Sequence, residues 1–227
     1  MHTIERLLFS LAAALPLAAA AQAGCGSAPV QHNADSAAVV AFVQAQRRQV
    51  LSFAGYSGAG YEDQAAMLAL ASRTLDALDP AQVLVNIGAT AEGIGAVYAL
   101  AKQRGFTTLG IVSTQARTQQ VALSPCVDHV FFIADASWGG LLPAAAGMPA
   151  VLSPTSQAMV EVSSRLVAIG GGEIARDELL AARALGKPVV FHPADMQHGP
   201  ALAKAARRGE AAPTDFRGAA HLALHPG

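Results

Sequence analysis

Small residues cluster at three places in the chain, each directly after an apolar stretch with the pattern of a buried strand. Glycine allows the main chain to approach a ligand closely, and free amides at the start of a helix attract anions such as phosphate. The candidate ligand-binding residues in these loops are Gly55, Tyr56, Ser57, Gly58, Gly88, Ala89, Thr90, Gly93, Gly171, Gly172 and Glu173. Together the loops favour a pocket for a nucleotide-like small molecule, although a tight turn explains any one loop equally well.

Aromatic and hydroxyl side chains near these loops have two interpretations each. Tyr56 and Tyr61 flank the first loop, where they could stack on a base or ribose or anchor the loop by packing. Trp138 precedes two glycines and could form a lid or pack inside the domain. Ser57 and Ser153 have no histidine and acid in a nucleophile-elbow pattern, which argues against a hydrolase triad.

His192, Asp195 and His198 have a spacing that metal ligands can have. Pro193 interrupts any common helical face, so an exposed loop at a strand end is the simpler interpretation. We therefore expect no metal site and no resident cofactor.

The three loops can form one site only if the strands and helices between them bring the loops to the same edge of a sheet. Apolar runs predict strands, and apolar residues at helical spacing predict helices between them. The predicted strands are 49–54, 83–87, 107–112, 129–133, 166–169 and 188–192, and the predicted helices include 37–48, 155–162 and 173–185. This alternation predicts an α/β, Rossmann-like open sheet that is mostly parallel, with helices on both faces. Its glycine loops would lie at the carboxyl ends of the strands, where ligands bind in such sheets.

The amino-acid composition and net charge restrict the classes of molecule that the protein can bind. The chain has 227 residues, of which 52% are hydrophobic and 14% charged, and its net charge is -1. That suits one well-cored domain, and the lack of a basic stripe argues against duplex nucleic acid as a partner. The predicted organisation is a signal peptide over 1–23, a linker and short helix over 24–47, an α/β domain over 48–198 and a C-terminal tail over 199–227.

The first residues have the layout of a secretory signal peptide. A short start is followed by an apolar run over 7–21, and Ala21-Gln22-Ala23 places small residues at the positions that determine cleavage. We therefore expect a periplasmic or secreted protein. One alternative is that the apolar run stays uncleaved as a membrane anchor. Another is membrane attachment through a lipidated Cys25, although Gln22 occupies a position where a lipobox normally has an aliphatic residue. A disulfide between Cys25 and Cys126 is a third fate for that cysteine.

Several segments resemble the LOG proteins, cytokinin-activating phosphoribohydrolases of the SLOG nucleotide-binding superfamily. Phe53-Ala54-Gly55-Tyr56-Ser57-Gly58 is similar to their first strand and loop, and residues 86–97 are similar to their second glycine loop and its helix. Residues 170–178 align with their signature Pro-Gly-Gly-x-Gly-Thr-x-x-Glu, and the resemblance covers roughly residues 49–192. It implies a nucleotide pocket on the predicted fold, and the family's habit of dimerising implies a homodimer.

The resemblance also implies a catalytic residue. The closing glutamate of the signature is Glu178, and a carboxylate is suited to the cationic sugar that forms when an N-glycosidic bond breaks. The signature departs from the family elsewhere: Gly170 replaces the proline, Ile174-Ala175 replaces Gly-Thr, and Thr155 occupies the position of the family's arginine. Arg176 is close in sequence, but helical geometry turns it roughly 200 degrees away from Glu178.

Three functions remain open from the sequence. The lost arginine and threonine favour a binding protein for a nucleotide-like small molecule. The retained Glu178 favours a nucleoside or nucleotide N-glycosidase. An envelope interaction protein with a vestigial pocket is the third, and a basic C-terminal segment is its only support.

Overall fold

The computed structural model, which describes residues 25–26, 28–144 and 149–224, has strands that alternate with helices. The strands are β1 (Val30–Ala34), β2 (Gln49–Gly55), β3 (Val83–Ile87), β4 (Thr107–Ser113), β5 (His129–Ile133), β6 (Arg165–Ile169) and β7 (Val189–His192). The helices are α1 (Ser36–Gln46), α2 (Gln64–Asp76), α3 (Val97–Gln103), α4 (Gln115–Thr118), α5 (Pro154–Val162), α6 (Glu173–Ala184), α7 (His198–Arg208) and α8 (Gly218–Leu224).

The strands form one sheet in the order β1-β5-β4-β3-β2-β6-β7, and every pair is parallel. From β2 the chain builds outward through β3 and β4 to β5, and then returns to place β6 on the other side of β2. The order therefore reverses between β2 and β6, where loops diverge and leave a crevice at the carboxyl ends of the strands. The predicted α/β Rossmann-like fold is confirmed.

The strands carry apolar side chains on both faces of the sheet, which explains why helices cover both of these faces. Val167 and Ile169 belong to an apolar cluster with α2 and α3, whereas Leu166 and Ala168 of the same strand pack with α6 and α8. A further cluster joins α1 and α5 over the β3–β5 part of the sheet. Because consecutive side chains of a strand point to opposite faces, a strand with a continuous apolar run is buried on both faces of the sheet.

Helix starts follow local chemistry. Asp63 lies just before α2, and its side chain accepts a hydrogen bond from the amide of Ala66 at 2.8 Å. Ser153 plays the same part for α5, where Pro154 takes the first helical position.

Two predicted boundaries differ from the structure. The segment 24–47, predicted as a linker and short helix, contributes β1, an edge strand that pairs with β5. The segment 199–227, predicted as a tail, provides most of α7 and all of α8, and Ala220 and Leu224 of α8 pack in the same apolar cluster as α6. The predicted signal peptide, 1–23, lies outside the described residues. In the part of the chain that the structure describes, no helix is both long and apolar enough to span a bilayer.

A disulfide joins Cys25 to Cys126 across 101 residues of chain. It holds the segment before β1 against the loop that follows α4. A cysteine sulfur in this bond cannot at the same time carry a lipid.

Candidate functional site

A cavity of about 600 Å³ opens at the carboxyl ends of β2 and β3, beside the first turns of α5 and α6. Its walls are mostly apolar. Nine of the twelve residues predicted for the site line it, namely Gly55, Tyr56, Ser57, Gly58, Gly88, Thr90, Gly172, Glu173 and Glu178. The structure thus brings together three loops that are spread over more than 100 residues of sequence.

Ala89, Gly93 and Gly171 are not among the described residues that line the cavity, and their role in ligand binding stays a prediction. Gly93 has a positive φ, and a Cβ there would lie 2.1 Å from the carbonyl oxygen of Tyr56. Gly171 also has a positive φ, and a Cβ there would lie 2.6 Å from that of Ala175. Both glycines are needed because main chains and side chains meet there, so they shape the walls.

Ala89 is a non-glycine residue with a positive φ. Its amide donates a hydrogen bond to the Tyr98 hydroxyl at 3.1 Å, and its carbonyl accepts one from the Ser124 amide at 2.9 Å. The residue is fully buried, and these two bonds hold the loop after β3 to the neighbouring helix and loop. Its role is to support the loop.

Tyr56 and Tyr61 anchor the first glycine loop. The Tyr61 hydroxyl accepts a hydrogen bond from the Tyr56 amide at 3.1 Å and donates one to the carbonyl of Ile169 at 2.6 Å. It therefore bridges the ends of β2 and β6. The Tyr56 hydroxyl donates to the carbonyl of Ala194 at 3.1 Å. Of the two interpretations of these tyrosines, the structure favours anchoring, because both side chains are buried and bonded to main chain.

Glu178 lies in the second turn of α6 and is only 7% exposed. The Ser156 hydroxyl donates a hydrogen bond to its Oε1 at 2.7 Å, and that hydroxyl also accepts one from the amide of Gly140 at 2.7 Å. Burial raises the pKa of Glu178 to about 7; the bond from Ser156 opposes this shift, and the nearby charge of Asp177 adds to it. Near neutral pH this carboxyl can therefore either hold or release a proton, as a general acid or base requires.

Arg176 does not take the place of the family's arginine. Its Nε lies 2.8 Å from Oδ1 of Asp177, with which it forms an ion pair, and it does not appear among the described residues of the cavity wall. The other oxygen of Asp177 accepts the amide of Leu141 at 2.8 Å. This pair fixes the segment after β5 against α6, in agreement with the orientation expected from helical geometry.

Thr155, at the position of the family's arginine, lines the cavity from the first turn of α5. Its amide donates to Oδ2 of Asp135 at 3.0 Å. Burial by itself would raise the pKa of Asp135, but hydrogen bonds from Ser137 and Thr155 outweigh it and lower the pKa to about 2. Asp135 is therefore a permanent negative charge that positions the start of α5.

Sequence reasoning missed Ser156 and Glu92 and left Trp138 undecided. Trp138 lines the cavity and is 41% exposed, as is typical of a residue at the mouth of a site. The Ser-Pro pair that starts α5 could have located Ser156 on the first turn, but only the packing of α5 on α6 shows that it meets Glu178. Glu92 also lies in the cavity wall.

The predicted metal-like spacing does not form a site. His198 Nε2 lies 3.3 Å from Oδ2 of Asp195, and the histidine ring stacks on Phe216 with centroids 3.9 Å apart. Within the described ranges, no group of three histidine, cysteine, aspartate or glutamate side chains could hold a metal ion. This cluster instead packs the chain after β7 against the segment before α8.

No protein-family model matches the chain, and no curated protein matches it. Among solved structures, a molybdenum cofactor carrier protein from Chlamydomonas reinhardtii is 20% identical, covers 64% of this chain and 76% of its own, and has a TM-score of 0.45. The structural genomics target TM1055 is 21% identical, covers 62% of this chain and 72% of its own, and has a TM-score of 0.45. The order and parallel pairing of this chain's own seven strands show the fold.

Proposed function

We propose that this chain is a small-molecule-binding protein whose nucleoside- or nucleotide-like ligand occupies the cavity at the carboxyl ends of β2 and β3. The observation that carries the proposal is the convergence of nine predicted site residues on one cavity of about 600 Å³. Ligand sites have volumes of roughly 300–1,000 Å³ and mostly apolar walls with a few placed polar groups. The cavity also lies where strand order reverses, which is the usual ligand position in open parallel sheets.

Two features suit a planar ligand with polar edges. Trp138 lies partly exposed in the wall and offers an aromatic face. Gly172 precedes α6, and among the described residues no side chain caps that helix, so its first amides are left for water or a ligand. The binding proposal needs no change in the fold, since the cavity is already open.

Binding can be followed through Trp138, because it is the only tryptophan of the chain. We expect a nucleoside or nucleotide to change its fluorescence and to raise the melting temperature; a ligand at 100 times its Kd adds about 2.7 kcal/mol of stability. Gly88→Leu would add a side chain to the wall at a position where a Cβ meets no neighbour, and should abolish both signals. Gly199→Leu, equally free of neighbours but outside the cavity wall, is the matched control. Retained binding in Gly88→Leu would contradict the proposed location.

A second candidate is hydrolysis of an N-glycosidic bond, favoured by the buried Glu178 and its pKa of about 7. A neutral carboxyl can protonate a departing base, and a charged one can stabilise the cationic sugar. Chromatography of nucleosides incubated with the protein tests this. Glu178→Gln should abolish turnover while binding persists, and Glu210→Gln, at an exposed glutamate, should change neither. Turnover by the Glu178→Gln protein would rule out this role.

We further propose that the protein is exported from the cytoplasm. The disulfide between Cys25 and Cys126 supports it, because such bonds persist in oxidising compartments and are rare in the cytosol. Fractionation of cells that express the full chain, with thiol labelling of each fraction, tests both points. A reduced protein found only in the cytosol would refute export. The homodimer rests on the resemblance alone, and light scattering of the purified protein tests it.

A further inference from the structure

Every charged residue in the cavity wall is a carboxylic acid: Glu92, Glu173 and Glu178. No lysine, arginine or histidine is among the described residues that line the cavity. Proteins that bind phosphate usually place Arg or Lys against it, because these groups supply both charge and hydrogen bonds. The acidic side chains of this cavity would instead place negative charge beside a bound phosphate.

Arg176 and Arg217, on segments that follow β6 and β7, are each held in an ion pair. Arg176 is in an ion pair with Asp177, whose other oxygen holds the amide of Leu141. Arg217 is in an ion pair with Asp215 at 2.7 Å. To reach a ligand, either arginine would have to leave its carboxylate partner.

The positive end of α6 does not replace a missing cation. Glu173 is the first residue of the helix and lies in the cavity wall, so its carboxylate already offsets the partial charge of the first turn. The next two wall residues, Ile174 and Ala175, bring apolar side chains to the same place. A phosphate bound to these amides would lie next to the Glu173 carboxylate.

We infer that the cavity prefers ligands without phosphate, so that a neutral or cationic nucleoside-like molecule binds more tightly than its phosphorylated form. This inference rests on the proposed binding function. A phosphate monoester carries about -1.5 to -2 charges at pH 7, and its repulsion from the exposed carboxylates at the mouth of the cavity weakens binding. Glu173 and Glu92 are the residues that determine this selectivity.

The experiment compares matched pairs of nucleosides and their 5′-monophosphates, such as adenosine and adenosine 5′-monophosphate. Each is titrated into the full mature chain, followed by Trp138 fluorescence and calorimetry at low salt. We expect the nucleoside to bind at least about tenfold more tightly, the size of repulsion by carboxylates a few Å away. High salt should reduce the ratio of the two dissociation constants, monophosphate over nucleoside, since it screens exposed charges.

Glu173→Gln should lower the ratio about three- to fivefold, and Glu92→Gln is an independent second variant. Both glutamates are exposed, so neither substitution disturbs the core. Glu210→Gln removes the same charge at an exposed position outside the cavity wall and should leave the ratio unchanged. A monophosphate that binds as tightly as its nucleoside overturns the inference while the binding function stands. If neither member of any pair binds, the proposed function and the inference both fail.

Discussion

Replacing Glu178 by glutamine should change how the free energy of unfolding depends on pH. Burial raises the pKa of this carboxyl from its ordinary value of 4.5 to about 7. The native protein therefore holds a proton on Glu178 between these two values, whereas the unfolded chain has released it. Because the native state binds more protons in this range, Glu178 makes the protein less stable as the pH rises from 4.5 to 7.

The size of the effect follows from the shift. A difference of about 2.5 pH units, at about 1.4 kcal/mol for each unit, amounts to about 3 kcal/mol of stability lost by pH 8. Glu178 is buried, so solvent does not screen much of this cost. Glutamine carries no charge, and its amide oxygen can still accept the hydrogen bond of Ser156. Relative to wild type, the variant should therefore gain about 3 kcal/mol between pH 4 and pH 8.

Urea unfolding at a series of pH values, followed by circular dichroism, measures the difference directly. Other titrating groups cancel when the variant is compared with wild type at each pH. Glu210→Gln, at an exposed position, should give a difference that stays flat. If the Glu178→Gln difference is also flat, Glu178 is charged in the native state, and the assignment of a near-neutral carboxyl in the cavity is refuted.

Three further predictions concern stability. Breaking the disulfide by Cys25→Ala should cost about 2–4 kcal/mol, since the bond constrains a long loop in the unfolded chain. Tyr61→Phe should cost about 1–3 kcal/mol, because it removes a buried hydroxyl that bridges β2 and β6. Gly171→Ala should cost more than about 1 kcal/mol because of its positive φ and the lack of space for a Cβ, whereas Gly172→Ala, with no neighbour within 4 Å, should be tolerated.

Thermal and urea unfolding check all three. Reduced wild type should match reduced Cys25→Ala, and an unchanged midpoint after reduction would show that the disulfide contributes nothing. Equal stability of the Gly171 and Gly172 variants would contradict the steric argument. Wild-type stability in Tyr61→Phe would show that the bridge between the strands is replaceable.

The central strands could be predicted because their signal is local. The predicted ranges 83–87 and 129–133 match β3 and β5 at both ends, and the other four predicted strands each differ by one residue at one end. A buried parallel strand needs apolar side chains on both faces, so it appears in the sequence as a continuous apolar run. Those strands, and the glycines after them, predicted small-residue loops at the carboxyl ends of the strands, where the cavity lies.

β1 and α8 could not be predicted in the same way. Strand β1 is a polar edge strand, Val30–Ala34, and it pairs with β5 through main-chain hydrogen bonds. Such bonds leave no pattern of side chains in the sequence. The α8 segment is a single helix of seven residues that forms part of the domain because α6 offers it an apolar surface. Both elements depend on partners far away in sequence.

The sequence by itself determined that strands and helices alternate, that small-residue loops follow the strands, and that a glutamate lies in the helix after the last glycine loop. These are properties of short segments, set by side-chain periodicity and main-chain freedom. Only the tertiary structure decided that Ser156 bonds to Glu178, that Cys25 reaches Cys126 and that Arg176 turns to Asp177. Such pairings depend on how distant elements pack, and the same packing buries Glu178 and thereby raises its pKa.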